Sequence, residues 1–272
     1  MASVFAVSLA RVRAAALLGV VAVLVAGAWL EWFPGPFVVA WLLGMVLIVA
    51  LLRLGTVRRR AVELRPPVTG RWQAHNSPAT RVPSHGIQSY GQAYAIDLVA
   101  DPVDDSRPRF AWWPPARRPD DFPGFGADVY APCHGTVVRT HDRERDHRSR
   151  TSPFGIGLLF TAELLRELFG PNRILGNHVI IDRGDDTYVA LAHLRRGSIR
   201  VRNGDRVAAG DRIAACGNSG NSTEPHLHLQ AMDHARPLLA AGLPFRLVAG
   251  DGTLLSIPPN GGHLEVAAGT PR

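Results

Sequence analysis

Two apolar runs near the amino terminus restrict this chain more than any other feature. Ala14 to Leu30 and Phe37 to Leu52 are almost uninterrupted hydrophobic segments, parted by Glu31-Trp32-Phe33-Pro34-Gly35-Pro36. Each is about 17 residues, near the lower limit for a helix that crosses a bilayer, and the aromatics and prolines between them suit an interfacial turn. Residues 1–53 are therefore expected to form a helical hairpin in the membrane, with residues 14–52 meeting the lipid. A cleaved signal peptide fits less well, because the second run follows at once and no small-residue cleavage site is evident. Two buried helices of a larger soluble domain are the remaining alternative.

Arginines flank the hairpin on both sides. Arg11 and Arg13 precede the first run and Arg53, Arg58, Arg59 and Arg60 follow the second, so the positive-inside rule places both ends in the cytoplasm. If only one run spans, the remainder of the chain emerges on the far side. The net charge of +7 favours anionic surfaces such as phospholipid or wall polymers. Nucleic acid is not an expected partner, since the arginines are scattered among acids and no binding motif accompanies them.

The 272 residues leave ample chain after the hairpin for one compact core. Residues 54–83 are rich in arginine and proline and read as a linker. Beyond them, short β-branched or alternating runs recur between Gly and Asp turns: Tyr94–Val99, Asp128–Tyr130, Gly135–Thr140, His178–Asp182, Thr187–His193, Asp211–Ala215 and His226–Ala231. The expected fold is mainly β, an antiparallel sheet over residues 84–250, preceded by two transmembrane α-helices. Thr161–Phe169, with Leu164, Leu165 and Leu168 before Gly170-Pro171, reads as a short helical insertion. Asp101–Gly126 and His141–Pro153 read as long polar loops that either shape access to a site or decorate the surface. Residues 251–272 read as a loosely ordered tail.

Chemistry concentrates in the histidines. His226-Leu227-His228 follows the turn Gly217-Asn218-Ser219-Gly220, and alternate residues of a strand share a face, so the two imidazoles enter the same space. Buried imidazoles need partners for their ring nitrogens, which a metal or a substrate supplies; two half-exposed histidines at a strand end are the plainer reading. Asp97 lies between Ile96 and Leu98, where an acid in an apolar strand needs a cation. With His85 and His193, the set is four imidazoles and one carboxylate, which suits a catalytic zinc with three protein ligands and spare bases nearby.

The order His85, Asp97, His193, His226-Leu227-His228 resembles the M23 (LytM/lysostaphin-type) family of zinc metallopeptidases, which cut peptide bonds in bacterial peptidoglycan. Tyr130–Val138, Gly176–Asp182 and Val207–Ala214 support the likeness, which covers about residues 80 to 248. The resemblance implies one zinc per domain bound by His85, Asp97 and His228, with His193 and His226 serving catalysis. It implies further that zinc lowers the pKa of a water from ~15.7 towards ~7. One of His193 and His226 would then shuttle its proton while the other donates to the developing oxyanion. One departure is plain: the usual family spacing is a short His-x-x-x-Asp, with a longer-spaced variant within the family, whereas Gly86 to Ile96 separate His85 from Asp97 here. A wide turn on Gly86, Ser89 and Gly91 would still return both side chains to one point.

Taken together, these features imply a membrane-anchored zinc metalloendopeptidase of the bacterial cell membrane, acting on peptidoglycan peptides. Its peptidase domain would be extracytoplasmic, where that substrate lies and against the positive-inside reading. The alternative is a non-catalytic domain that binds wall polymer or regulates a partner hydrolase; loss of a ligand would mark it, and every candidate is present. His134 and His178 read as structural or surface residues, and His75, His141, His147, His234 and His263 as solvated. Cys133 and Cys216 are compatible with a disulfide or with two buried thiols, and small core residues are the default reading.

Overall fold

The computed structural model describes residues 2–29, 37–153 and 171–267. Its centre is a nine-stranded, antiparallel sheet. The strands are β2 (Gly70–His75), β3 (Ile96–Ala100), β5 (Gly135–His141), β6 (Asn177–Asp182), β7 (Tyr188–Leu194), β8 (Arg206–Val207), β10 (Leu227–Met232), β11 (Gly242–Leu243) and β14 (His263–Val266). Their order is β14-β2-β3-β10-β7-β6-β5-β8, with β11 on the end of β10. A second pair joins β4 (Asp128–Tyr130) to β9 (Arg212–Ala215), and a small sheet joins β1 (Val62–Leu64), β12 (Phe245–Val248) and β13 (Leu254–Leu255).

Alternation divides the central strands into two faces. Ile96, Leu98, Leu191, Leu227 and Leu229 enter the main hydrophobic core with Val129, Ile213 and Leu247. The other face carries Asp97, His228 and Gln230, floored by Ala190 and Ala192 across the ladder. Small residues there leave room above the sheet.

Two sequence expectations are corrected. The supposed linker, 54–83, holds β1 and β2: Val62 and Leu64 pair in parallel with Phe245 and Leu247, and Trp72 and Ala74 point into the core. The supposed tail, 251–272, contributes β13 and β14, with β14 paired to β2 through Leu264 opposite Trp72. Both segments hide strands of two to six residues among Arg, Pro and Gly, too short for a periodic signal to stand out.

The two longest helices among the described residues are α1 (Ala2–Trp29) and α2 (Phe37–Arg53). By length and apolarity Val4–Ala28 is sufficient to cross a membrane, while Val39–Arg53 is a shorter apolar helix. α1 begins well before Ala14 because its first turns pack on the sheet domain: Ala6 and Ala10 are buried in the main core, and Arg11 pairs with Asp233. The turn at 30–36 and the helix expected at Thr161–Phe169 lie outside the described residues. Cys133 and Cys216 are free, buried thiols within the core, whose burial pushes the Cys133 thiol up to about 12.

His178 shows how burial tunes one histidine of this sheet. It is buried, stacks on His141 with ring centroids 5.6 Å apart, and donates from Nδ1 to Gly176 O at 2.8 Å. Burial lowers it from 6.5 to about 4. The unfolded chain therefore takes up this proton first as pH falls, so His178 stabilises the fold fully above pH 6.5 and loses that contribution down to about pH 4. At about 1.4 kcal/mol per pH unit the loss is ~3 kcal/mol. Thermal melts at pH 7.5 and 4.5 check it: His178→Gln is expected to lose clearly less stability on acidification than the parent.

Candidate metal centre and its histidines

Register brings the site together. In the β3–β10 ladder His228 stands opposite Asp97, so both side chains rise from the same face at neighbouring positions. His226, two residues before His228, shares that face and brings Nε2 to 3.7 Å from Asp97 Oδ1. His85 comes from the segment between β2 and β3, where Gly86 and Gly91 adopt positive φ around the 3-10 turn Ser89–Gly91, and it meets Asp97 Oδ2 at 3.1 Å. The wide turn thus does return His85 to Asp97 across the long separation.

His193 needs a different device. Strict alternation would point it away from His228, whose ladder partner is Ala192. The β6–β7 ladder slips by one residue between Asn177 and Val179, and His193 takes a φ of 60°. This bulge turns its ring onto the site face, where it lies 4.6 Å from the His226 ring and 5.7 Å from that of His228, centroid to centroid. Positive φ at a non-glycine residue costs on the order of 1–3 kcal/mol and persists where the surroundings over-determine it.

The surroundings do so through the turn Gly217–Gly220. A Cβ on Gly217 would sit 2.3 Å from Arg195 N, and one on Gly220, at φ +72°, 2.4 Å from Gly176 N, so only glycine lets this turn lie against the ends of β6 and β7. The turn aims Ser219 O at His193, whose Nδ1 donates to it at 2.9 Å. The two polar loops brace the next stretch. Arg150 N bonds Thr223 O, Asn218 Nδ2 bonds His147 O, and Arg107 pairs with Glu224 at 2.8 Å.

Hydrogen-bond partners assign the tautomers. Ser84 Oγ donates to Gln92 O and so accepts from His85 Nδ1 at 3.0 Å, which leaves His85 Nε2 as a lone pair facing Asp97. His228 Nε2 donates to Gln230 Oε1 at 2.8 Å, which leaves Nδ1 as the lone pair, 2.8 Å from Asp97 Oδ1. His226 Nδ1 donates to Glu224 O at 2.8 Å, leaving its Nε2 free. Asn76 Nδ2 donates to Asp97 Oδ2 at 2.8 Å.

Lone pairs therefore converge on a carboxylate. Ligand atoms of His85, Asp97 and His228 all lie within 4.8 Å of one another, and the tautomers put acceptors on every side. Such a triangle is repulsive unless a cation or protons stand between its members. Two neutral imidazoles and a carboxylate are the donor chemistry zinc takes, so the residues present fit that ion. Protons on these imidazoles would act as the cation does. Burial pushes Asp97 up, but His85 and His226 outweigh it and hold the carboxyl well below its usual range. Burial lowers His85 and lowers His193 strongly, whereas in His228 burial is outweighed by Asp97 and the ring is raised.

All five expected site residues thus meet in one place. His134 is exposed, His178 is structural as described, and His75, His141, His147, His234 and His263 are half-buried rather than solvated, His263 donating to Asp101 at 2.6 Å. Sequence reading missed Asn76, Ser84, Ser219 and Gln230. Gln230 alone left a signal, being the next residue on the face shared by His226 and His228.

Residues 167–239 match the family model described as Peptidase family M23, a stretch that contains His193, His226 and His228 and begins downstream of His85 and Asp97. The peptidoglycan DD-endopeptidase ShyA of Vibrio cholerae is 38% identical over 65 residues, 24% of this chain and 15% of that protein's length. Among solved structures, the catalytic domain of lysostaphin from Staphylococcus simulans aligns over 55% of this chain and 74% of its own, at 20% identity and a TM-score of 0.33. The catalytic domain of the prophage-encoded protein EnpA from Enterococcus faecalis aligns over 55% and 73%, at 20% identity and a TM-score of 0.32. Residues 167–239 of this chain are thus similar to Peptidase family M23.

Proposed function

We propose that the protein is a membrane-anchored, zinc-dependent endopeptidase that hydrolyses peptide bonds of bacterial peptidoglycan. The observation that carries the reading is the acceptor-only triangle of His85 Nε2, Asp97 and His228 Nδ1, within 4.8 Å, with two further imidazoles on its rim. His85, Asp97 and His228 would hold the ion. Zinc there would supply Lewis acidity, polarising a peptide carbonyl and bringing the pKa of a water from ~15.7 towards ~7.

The remaining work falls to the chain's own side chains. His193 and His226 each fix Nδ1–H on a backbone carbonyl, Ser219 O and Glu224 O, and so present Nε2 to the site. One Nε2 accepts the proton of the attacking water and passes it to the leaving amine. The other, protonated from solvent before attack, donates to the oxygen of the attacked carbonyl and keeps that proton through the step. Gln230 keeps Nε2–H on His228 and thereby keeps Nδ1 available. Gln230→Ala is expected to weaken zinc binding by roughly 10–100-fold, measured by competition with a chromophoric chelator.

Residues 14–52 would enter the lipid, with the sheet domain against one face of the bilayer. Arg11 and Arg13, which enter the positive-inside count, are engaged by protein groups rather than free. We place the domain outside the cytoplasm because peptidoglycan is there. Full-length protein incubated with purified peptidoglycan tests the activity. Soluble fragments with new amino termini are expected, lost with a chelator and restored by zinc. No release from a zinc-loaded protein would favour a binding or regulatory domain instead.

A further inference from the structure

We propose that the helical hairpin holds His85 in its ligating position, with Arg13 and Gln88 as the positioning residues that link membrane anchor to metal site. This rests on the reading of His85, Asp97 and His228 as a zinc centre. His85 lies outside every strand, in the segment between β2 and β3. That segment is where the hairpin docks.

Arg13 is 3% exposed although it is a charged residue of a helix that is apolar but for Arg11 and two serines. All three of its guanidinium nitrogens are used: Nε donates to Leu51 O at 2.8 Å, Nη2 to Leu54 O at 2.8 Å and Nη1 to Gln88 O at 2.9 Å. One side chain of α1 thus caps the carboxy-terminal carbonyls of α2 and grips the backbone three residues after His85. Gln88 answers from the other side. Its N–H donates to Leu52 O at 2.7 Å, and its side-chain amide donates to Arg53 O and Thr56 Oγ1. Tyr94 OH, three residues before Asp97, donates to Val57 O at 2.6 Å.

The opposite end of the His85 segment is tied to the site itself. Ser84 N bonds Ala93 O, Ser84 Oγ accepts from His85 Nδ1, and Gln230 Nε2 donates to Tyr90 O at 2.9 Å. Gln230 is the residue that orients His228, so the segment is anchored between the hairpin and the partner ligand. Arg11 adds a second grip, bonding both oxygens of Asp233 at 3.2 and 3.1 Å, directly after the strand that carries His228. Undocking the hairpin would free the segment that supplies His85, while His228 stays held by its ladders to β3 and β7. The anchor then acts as part of the ligand shell, and the fully competent centre is the one with the hairpin docked.

The test uses the full chain in detergent micelles, with metal binding rather than turnover as its readout. Arg13→Ala is expected to raise the zinc dissociation constant roughly 10–100-fold, the range for residues that orient metal ligands, and to alter the d–d absorption of the cobalt-substituted protein. Gln88→Ala is expected to do the same to a smaller extent, and it carries the test if Arg13→Ala fails to fold. Arg65→Ala, whose guanidinium bonds Ala209 O and Gly250 O away from the site, is expected to change neither quantity. Parent-like affinity and spectrum in both Arg13→Ala and Gln88→Ala, while His228→Ala abolishes binding, would overturn the coupling and leave the zinc centre standing. A parent that binds no zinc would overturn both.

Discussion

Asp97→Asn is expected to abolish zinc binding and peptide hydrolysis while leaving the metal-free protein at least as stable as the parent. The carboxylate is buried, and the lone pairs of His85 and His228 face it. Asparagine has nearly the same shape, so packing is kept. Its amide carries donors that satisfy one of those lone pairs, which relieves the repulsion among them and removes the negative charge a dication needs. Zinc at 100 times the parent's dissociation constant would stabilise the parent by about 2.7 kcal/mol and the variant not at all. Melting curves with and without zinc, beside an activity assay, decide the matter. Equal zinc-dependent shifts in both proteins would remove Asp97 from the ligand set.

His193→Ala and His226→Ala are expected to divide binding from chemistry. Their ring contacts with the site are made at its rim, and their tautomers are set by backbone carbonyls that survive the substitution. Each variant should keep stoichiometric zinc and lose roughly 10²–10⁴-fold in kcat, the usual contribution of a positioned acid or base. His193→Ala also relieves no backbone strain, since alanine at a φ of 60° is disfavoured as well, and a glycine there is the better-folded control. Zinc content measured on the same samples separates the outcomes. Loss of zinc in either variant would make that histidine a ligand.

Much of this site was legible in the sequence, and the reasons differ by residue. His226, His228 and Gln230 share a face because strand alternation is local, so their spacing alone places them. The pairing of Asp97 with His228 spans 131 positions, and the resemblance to M23 peptidases rather than any local pattern implied it. His193 reached the site through a ladder slip and a positive φ that strict alternation cannot foresee. The strands of the supposed linker and tail were missed because a stretch such as Val62-Glu63-Leu64 has too few residues to show a period. Arg13 read as a topology signal in an apolar helix, and nothing local marks it as a partner of Gln88, 75 residues away.

Anomalous diffraction at the zinc edge from crystals of the zinc-loaded, full-length protein tests the central claim most directly. The account predicts one peak per chain, ~2.0–2.2 Å from His85 Nε2, an Asp97 carboxylate oxygen and His228 Nδ1, with His193 and His226 outside bonding distance. A peak held by other residues, or none at this triangle in protein shown to contain zinc, would contradict it.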